Sequence, residues 1–348
     1  MADELRFAII GTGNIGPFHA DAISKIDGAK LVAVADIVEE KAKQLADKYN
    51  ADAYTDYERM LERDDIDVVN ICTPSGLHME SALKAAEKGK HLIVEKPLDI
   101  TLEKCDRIID ACRKNNLKLC VIFPTRFKPA IVKTKEAIEQ GRFGKIVLVD
   151  GTLKCFRSQE YYDSGQWRGT WELDGGGALM NQSIHTIDAL YYLTGDVSSI
   201  NAYTGTLARK VEVEDTAVAI IKFKNSALGV IEGASCIYPG YDPVISIHGE
   251  KGSVVINGEK IEKWDFETQQ EQDTQIKNIG KGKTSTSAND PTKQLSSEGH
   301  MCQIADMVEA IRTDREPKIN GEEGRKAVEI IIGIYRSQRE KREITLPI

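Results

Sequence analysis

At 348 residues the chain is longer than one ordinary hydrophobic core organises, so two domains are expected. Hydrophobic residues make up 41% and charged residues 29%, as in a globular protein, and a net charge of −8 offers nucleic acid and anionic membranes no attraction. No apolar run approaches the roughly 20 residues that cross a bilayer. The acidic start, Met1-Ala2-Asp3-Glu4, lacks a signal-peptide core, and the seven cysteines are scattered without a Cys-x-x-Cys pair. Both features predict a cytoplasmic protein with cysteines acting as small buried hydrophobes.

In chain order, Leu5–Ile10 reads as a strand that ends in Gly11-Thr12-Gly13-Asn14-Ile15-Gly16. A helix with Phe18, Ala22, Ile23 and Ile26 on one face follows, then the strand Leu31–Ala35 and Asp36. Strand, glycine turn, helix, strand and an acid about 20 residues on make up a dinucleotide fingerprint. Gly11 allows the tight turn, Gly13 lets a pyrophosphate reach the backbone, and Gly16 lets helix pack on strand, with Asn14 and Ile15 beside the phosphates. Asp36 suits a ribose diol and repels a 2′-phosphate, so NAD is expected rather than NADP. The alternative is a tight turn without a ligand.

The alternation continues through helices Glu39–Tyr49 and Asp56–Arg63, strand Val68–Cys72, helix His78–Lys88 and strand His91–Val94. Helix Thr101–Asn115 and strand Lys118–Phe123 close a parallel α/β Rossmann domain over residues 1–123. Thr73-Pro74 and Glu95-Lys96-Pro97 stand at carboxyl ends of strands, where such sheets hold their ligands. His78 follows one of these ends and either touches the cofactor or caps its own helix.

Residues 124–348 change character. A helix Ala130–Gln140 precedes strand-like runs Ile146–Phe156, Ser199–Leu207, Thr216–Lys224, Leu228–Ser235, Val244–His248 and Ser253–Ile256. That pattern predicts an α+β domain with a mostly antiparallel sheet, one face open and available for a homo-oligomer contact, dimer or tetramer. Between these runs, Gly175-Gly176-Gly177 leads into a helix expected over Ala178–Leu193, with Asn181, His185 and Asp188 on one side. This is either a reaction site or a polar face with a structural histidine. Thr268–Ser297 is polar and without apolar period, a long loop. Helices Met301–Arg312 and Glu322–Arg339 and a strand Ile344–Leu346 complete the chain, the last helices and strand being expected to pack back on the first domain.

The motifs Gly11–Gly16, Thr73-Pro74-Ser75-Gly76-Leu77-His78, Glu95-Lys96-Pro97 and Gly175–Gly177 with His185 together resemble the glucose–fructose oxidoreductase / inositol dehydrogenase / rhizopine-catabolism (Gfo/Idh/MocA) family. The resemblance implies an NAD(P)-dependent sugar or polyol oxidoreductase with catalytic Lys96 and His185. Where many members carry an aspartate, this chain has Asn181, a neutral amide that cannot raise the imidazole's basicity, leaving His185 to act more alone. Tyr161-Tyr162-Asp163, Trp167–Trp171, Met180-Asn181-Gln182, Ala202-Tyr203-Thr204 and Val213–Thr216 resemble more narrowly the branch that oxidises UDP-N-acetylglucosaminuronic acid at C3. Phe123–Lys128 departs from it.

The expected cofactor set is therefore Gly11, Gly13, Asn14, Ile15, Gly16, Asp36, Thr73, Pro74, His78, Glu95, Lys96 and Arg168. The expected substrate set is Lys96, Arg126, Arg157, Tyr161, Asn181, His185 and His300. Arginine suits the carboxylate and phosphates of a UDP-linked sugar acid. The alternatives are an inositol or free-sugar dehydrogenase, in which these arginines form ion pairs, and a noncatalytic NAD-binding regulator. No residue set has metal-ligand spacing, so no metal is expected.

Overall fold

Leu5–Ile10 (β1), Ala29–Ala35 (β2), Val68–Ile71 (β4), His91–Val94 (β5) and Leu119–Val121 (β6) form where the apolar runs predict, joined by Asp52–Tyr54 (β3). They belong to a computed structural model that describes residues 4–282 and 297–348. Backbone contacts divide the chain into two units, Met1–Pro124 with Ser296–Arg325, and Thr125–Leu295 with Lys326–Ile348.

In the first unit the strand order is β3-β2-β1-β4-β5-β6 and every neighbouring pair is parallel. This is the order of a doubly wound dinucleotide fold, whose ligands gather outside the carboxyl ends of the strands. Phe7, Ile9, Val68, Ile93 and Cys120 are fully buried, and Ile304, Met307 and Val308 of helix Glu298–Arg312 pack into the same core. That helix also completes the hydrogen bonding of the sheet's last strand. The side-chain oxygen of Gln303 accepts the Phe123 N–H at 2.9 Å, and its amide nitrogen donates to the Val121 carbonyl. β3 was not predicted. It is three residues long, with Asp52 and Ala53 exposed, so it shows no apolar run to read.

The second unit is built on Ile146–Lys154 (β7), Val197–Gly205 (β8), Thr216–Phe223 (β9), Leu228–Ala234 (β10), Val244–Gly249 (β11), Gly252–Asn257 (β12), Lys260–Phe266 (β13) and Ile344–Thr345 (β14). Their order is β13-β12-β11-β7-β10-β9-β8-β14, antiparallel except where β10 runs parallel to β7. β9 alternates with period two: Ala217, Ala219 and Ile221 face inward while Val218 and Ile220 face out. Helix Ile184–Thr194 lies on the inner face, close enough at Gly151 of β7 that an added Cβ would meet Leu190 at 3.2 Å. On the outer face Tyr203, Val218, Ile220, Leu228 and Leu148 are exposed, and cross-strand pairing sets Tyr203 beside Val218 and Leu228 beside Leu148.

β13 was also missed. Ile261, Trp264 and Phe266 face inward, but Glu262 and Lys263 are both exposed, and a register shift between Val255 and Ile256 accompanies this break in alternation. The polar stretch expected as one loop holds a short helix, Asp273–Ile276, in its described part. Asp273 anchors it by accepting from Arg142, from Trp264 Nε1 at 2.7 Å and from the Gln270 N–H at 2.7 Å. Residues 283–296 of that stretch lie outside the described residues.

A buried ion pair ties helix Ile184–Thr194 to the turn Pro124–Phe127. Arg126 grips Asp188 with both arms of its fork, Nε to Oδ2 at 2.9 Å and Nη2 to Oδ1 at 2.7 Å, with side-chain exposures of 4% and 0%. Removing one member strands a charge in the interior. Asp188→Ala should cost about 3–5 kcal/mol of folding free energy, measured by urea denaturation. A loss under about 1 kcal/mol would mean that water reaches the pair.

Candidate active site

The glycine turn of the first unit has distinct requirements at its three positions. Gly11 holds φ +94°, and a Cβ there would sit 2.6 Å from the Cys72 carbonyl oxygen. A Cβ on Gly16 would sit 2.6 Å from the carbonyl oxygen of Gly11, so this residue lets the helix pack against the turn. Gly13 is different: nothing lies within 4 Å of its Cβ position, and it is exposed, as is Asn14 beside it. Protein packing does not require glycine there, and its bare backbone is open to close approach. Helix Gly16–Ile23 starts without a side-chain cap, Ile15 having nothing to offer, which leaves its positive end for an anion. Nearby, at the end of β4, the Thr73 hydroxyl is buried without a hydrogen-bond partner among the described residues. An uncapped helix, an open glycine and an orphaned hydroxyl fit the pyrophosphate end of a dinucleotide.

Asp36 stands half-exposed at the end of β2. One carboxylate oxygen accepts from the Thr12 N–H at 2.8 Å and its hydroxyl at 2.9 Å, and the other from the Val38 N–H at 2.9 Å. These bonds fix the carboxylate at the rim of the glycine turn.

Three of the expected contact residues turn inward instead. His78 is 1% exposed, its ring nitrogens 2.8 Å from the Pro97 carbonyl and 2.9 Å from that of Thr73. It ties the two strand-end loops together. Glu95 is buried too: one oxygen lies 2.8 Å from His19 Nε2 and 3.4 Å from His300 Nε2, and the other accepts the Lys96 N–H at 3.1 Å. His300, expected at the substrate, is likewise buried, edge-on to His19 at 5.3 Å. Burial alone pushes the Glu95 carboxyl up, but the two imidazoles bonded to it hold it well below the usual carboxylate range. Burial pushes His19 down, and Asn70 Nδ2 lies 2.8 Å from its second nitrogen. Spacing in the sequence gave no metal set, yet the fold brings ligand atoms of His19, Glu95 and His300 within 4.8 Å of one another. Hydrogen bonding centred on Glu95 accounts for these contacts, and from this hub the half-buried Lys96 leaves the sheet end.

In the second unit the expected helix over Ala178–Leu193 is two pieces. Ala178–Ser183 is a wider π-helical turn, and the α-helix proper runs Ile184–Thr194. Leu179 and Ser183 press on Gly233 of β10, whose Cβ would fall 2.7 and 2.8 Å from them, so the turn follows the sheet surface. Asn181, Gln182 and His185 are the half-buried residues amid buried neighbours. Position 181 is itself bonded to a carboxylate: buried Asp174 accepts from Asn181 Nδ2 at 2.6 Å and from the Gly169 N–H at 2.9 Å. Sequence reasoning missed Asp174, which lies seven residues before Asn181 and outside the helical pattern.

Tyr161 gathers the cationic side chains. Arg168 lies over its ring at 4.3 Å and donates to its hydroxyl at 2.5 Å, while also covering Trp167 at 4.7 Å. Arg157 approaches the same ring at 5.6 Å, and Gln182 Nε2 reaches the hydroxyl at 3.4 Å. The half-buried Arg168, expected at the cofactor, belongs to this aromatic cluster. Arg126, expected at the substrate, does not join it, since Asp188 already balances its charge.

Residues 5–123 match the oxidoreductase family's NAD-binding Rossmann fold, and residues 135–346 match its C-terminal alpha/beta domain. The chain belongs to the Gfo/Idh/MocA oxidoreductase family. It is 35% identical to the WlbA dehydrogenase from Bordetella pertussis, solved with NADH and UDP-GlcNAcA, over 100% of this chain and 99% of that one, at a TM-score of 0.92. Among curated relatives, the myo-inositol 2-dehydrogenase of Thermotoga maritima is 26% identical over 98% of both proteins. The NAD-dependent scyllo-inositol 2-dehydrogenase of Bacillus subtilis is 31% identical over 74% of this chain and 75% of its own. This Gfo/Idh/MocA protein is thus an oxidoreductase of the sugar and polyol dehydrogenase kind, its cofactor is NAD, and the noncatalytic regulator is set aside.

The glycine geometry makes a separable prediction. Gly13→Ala should keep the wild-type melting temperature, because its Cβ meets no protein atom, yet weaken NADH at least tenfold in a fluorescence titration. Gly11→Ala should instead destabilise the fold itself. Unchanged NADH affinity in a folded Gly13→Ala would remove Gly13 from the cofactor set.

Proposed function

We propose that this dehydrogenase oxidises a ring hydroxyl of a nucleotide-linked sugar acid, with C3 of a UDP-N-acetylhexosaminuronic acid as the preferred position. The observation that carries the proposal is the likeness along the whole chain to the Bordetella enzyme solved with NADH and UDP-GlcNAcA. The cluster of Arg157, Arg168, Tyr161 and Trp167 supports it, because guanidinium forks bind carboxylate or phosphate and aromatic rings stack on planar or apolar groups. The second reading, an inositol or free hexose, is favoured by the names of the curated relatives.

Alcohol oxidation needs an acceptor for the hydroxyl proton and a donor that stabilises negative charge building on the oxygen. His185 is assigned the first task, since an imidazole has a reference value near ~6.5 and accepts protons at neutral pH. The Lys96 ammonium is assigned the second. NAD, when bound, supplies the hydride acceptor. Gly11, Gly13, Asn14, Ile15 and Gly16 are assigned to its pyrophosphate, and Asp36 to its ribose. The exposed apolar stripe of Tyr203, Val218, Ile220 and Leu228 is assigned to contact between copies of the chain. A cytoplasmic setting accords with the buried, unpaired thiols of Cys72, Cys105, Cys112, Cys120 and Cys155.

The deciding experiment measures NADH formation across inositols, free aldoses and UDP-hexuronic acids. Turnover of a UDP-hexuronic acid is expected; robust inositol oxidation without calorimetric binding of any UDP-sugar would overturn the substrate assignment. On the substrate so found, His185→Ala and Lys96→Ala should each lower kcat by roughly 10²–10⁴-fold with NADH affinity near wild type. Near-normal turnover in either variant removes that residue from its role.

A further inference from the structure

Three consecutive amides at the start of the π-helical turn end on one residue. Glu214, 3% exposed just before β9, accepts from the Gly177 N–H at 3.0 Å and the Leu179 N–H at 2.8 Å through its carboxylate. Its backbone carbonyl takes the Ala178 N–H at 3.0 Å. A side chain at 177 would collide with that carbonyl, so glycine is required there. The Tyr335 hydroxyl donates to the same carboxylate at 3.0 Å. The first amides of a helix have no partners of their own. Here a distant carboxylate supplies them, and the turn it holds carries Asn181 and leads directly into His185.

We infer that Glu214 is a positioning residue for the reaction: its carboxylate, in ionised form, sets the turn that orients Asn181 and His185. This rests on the role proposed for His185. An ionised carboxylate accepts both amides and the phenol, whereas a protonated one gives up part of that capacity. Among the described residues the titratable group bonded to it is Tyr335, pushed well above its ordinary value by burial and by Glu214, and the charge of Asp174 also acts on Tyr335. Asp215, next in sequence, is engaged elsewhere, accepting the amides of Leu207, Ala208 and Arg209. Burial pushes the Glu214 carboxyl up to about 7, against the opposing pull of the Leu179 and Gly177 amides and the Tyr335 hydroxyl. The hold on the turn therefore loosens as pH falls through neutrality. The sign for stability is opposite: a carboxyl raised above its unfolded value stabilises the fold at low pH and ceases to do so as pH rises through about 7.

Glu214→Gln and Tyr335→Phe test the inference in the full-length enzyme. In wild type, kcat for the alcohol it oxidises should fall on the acid side with a slope steeper than one proton, His185 and Glu214 both contributing. Glu214→Gln should lower kcat about tenfold, as expected for one lost hydrogen bond to a charged acceptor, and reduce that slope to one proton, with NADH affinity unchanged. Tyr335→Phe removes a donor to the ionised form and should move the acid limb to higher pH. Amide hydrogen exchange at Gly177 and Leu179 reads the same event without any substrate. Protection, corrected for intrinsic rates, should drop below pH 7 in wild type and be low and independent of pH in Glu214→Gln. Wild-type kcat slope and wild-type protection in Glu214→Gln would overturn the inference, as would a fall in melting temperature alone. If wild type oxidises no alcohol, the proposed function fails while the exchange measurement still decides the role of Glu214.

Discussion

The unpaired amides at the start of a helix constrain both halves of this enzyme, and each half answers the constraint differently. Where the glycine turn enters helix Gly16–Ile23, no side chain caps the start and Pro17 removes one donor, so the positive end has no side-chain partner. Where the second glycine stretch enters the turn Ala178–Ser183, the donors are consumed internally by Glu214. The first arrangement leaves its backbone open to a ligand. The second is satisfied from within, so the turn that carries Asn181 and Gln182 is held by Glu214 and needs no ligand.

How much of this is legible in the sequence depends on how local each feature is. The Rossmann half reads almost strand for strand, because parallel strands buried on both faces appear as continuous apolar runs and the glycine fingerprint is contiguous. β3 and β13 escape for the opposite reason, one short and exposed, the other broken in its alternation. The site residues divide the same way. Gly11, Gly13 and Gly16 have roles set by neighbours a few positions away. Arg126 looks like a cation for substrate because nothing nearby marks Asp188, 62 residues on, as its partner. His300 meets Glu95 across more than 200 positions, and Glu214 meets Gly177 across 37. Single-sequence periodicity carries no information about such pairs.

The two buried carboxylates at these sites show how surroundings divide one functional group into two behaviours. Glu95 and Glu214 are similarly secluded, and burial pushes both upward. Glu95 is bonded to two imidazoles that hold it well below its ordinary range, so it stays a fixed charge beneath Lys96. Glu214 is bonded to neutral amides and a phenol, which favour its ionised form less than a cationic or proton-sharing partner does, and burial prevails. A carboxylate held ionised in this way gives the residue before Lys96 a steady charge. A charge that changes near neutrality instead makes the turn that leads into His185 depend on pH. On the role proposed for His185, the turn that leads into it loosens below neutral pH, and activity should fall with it.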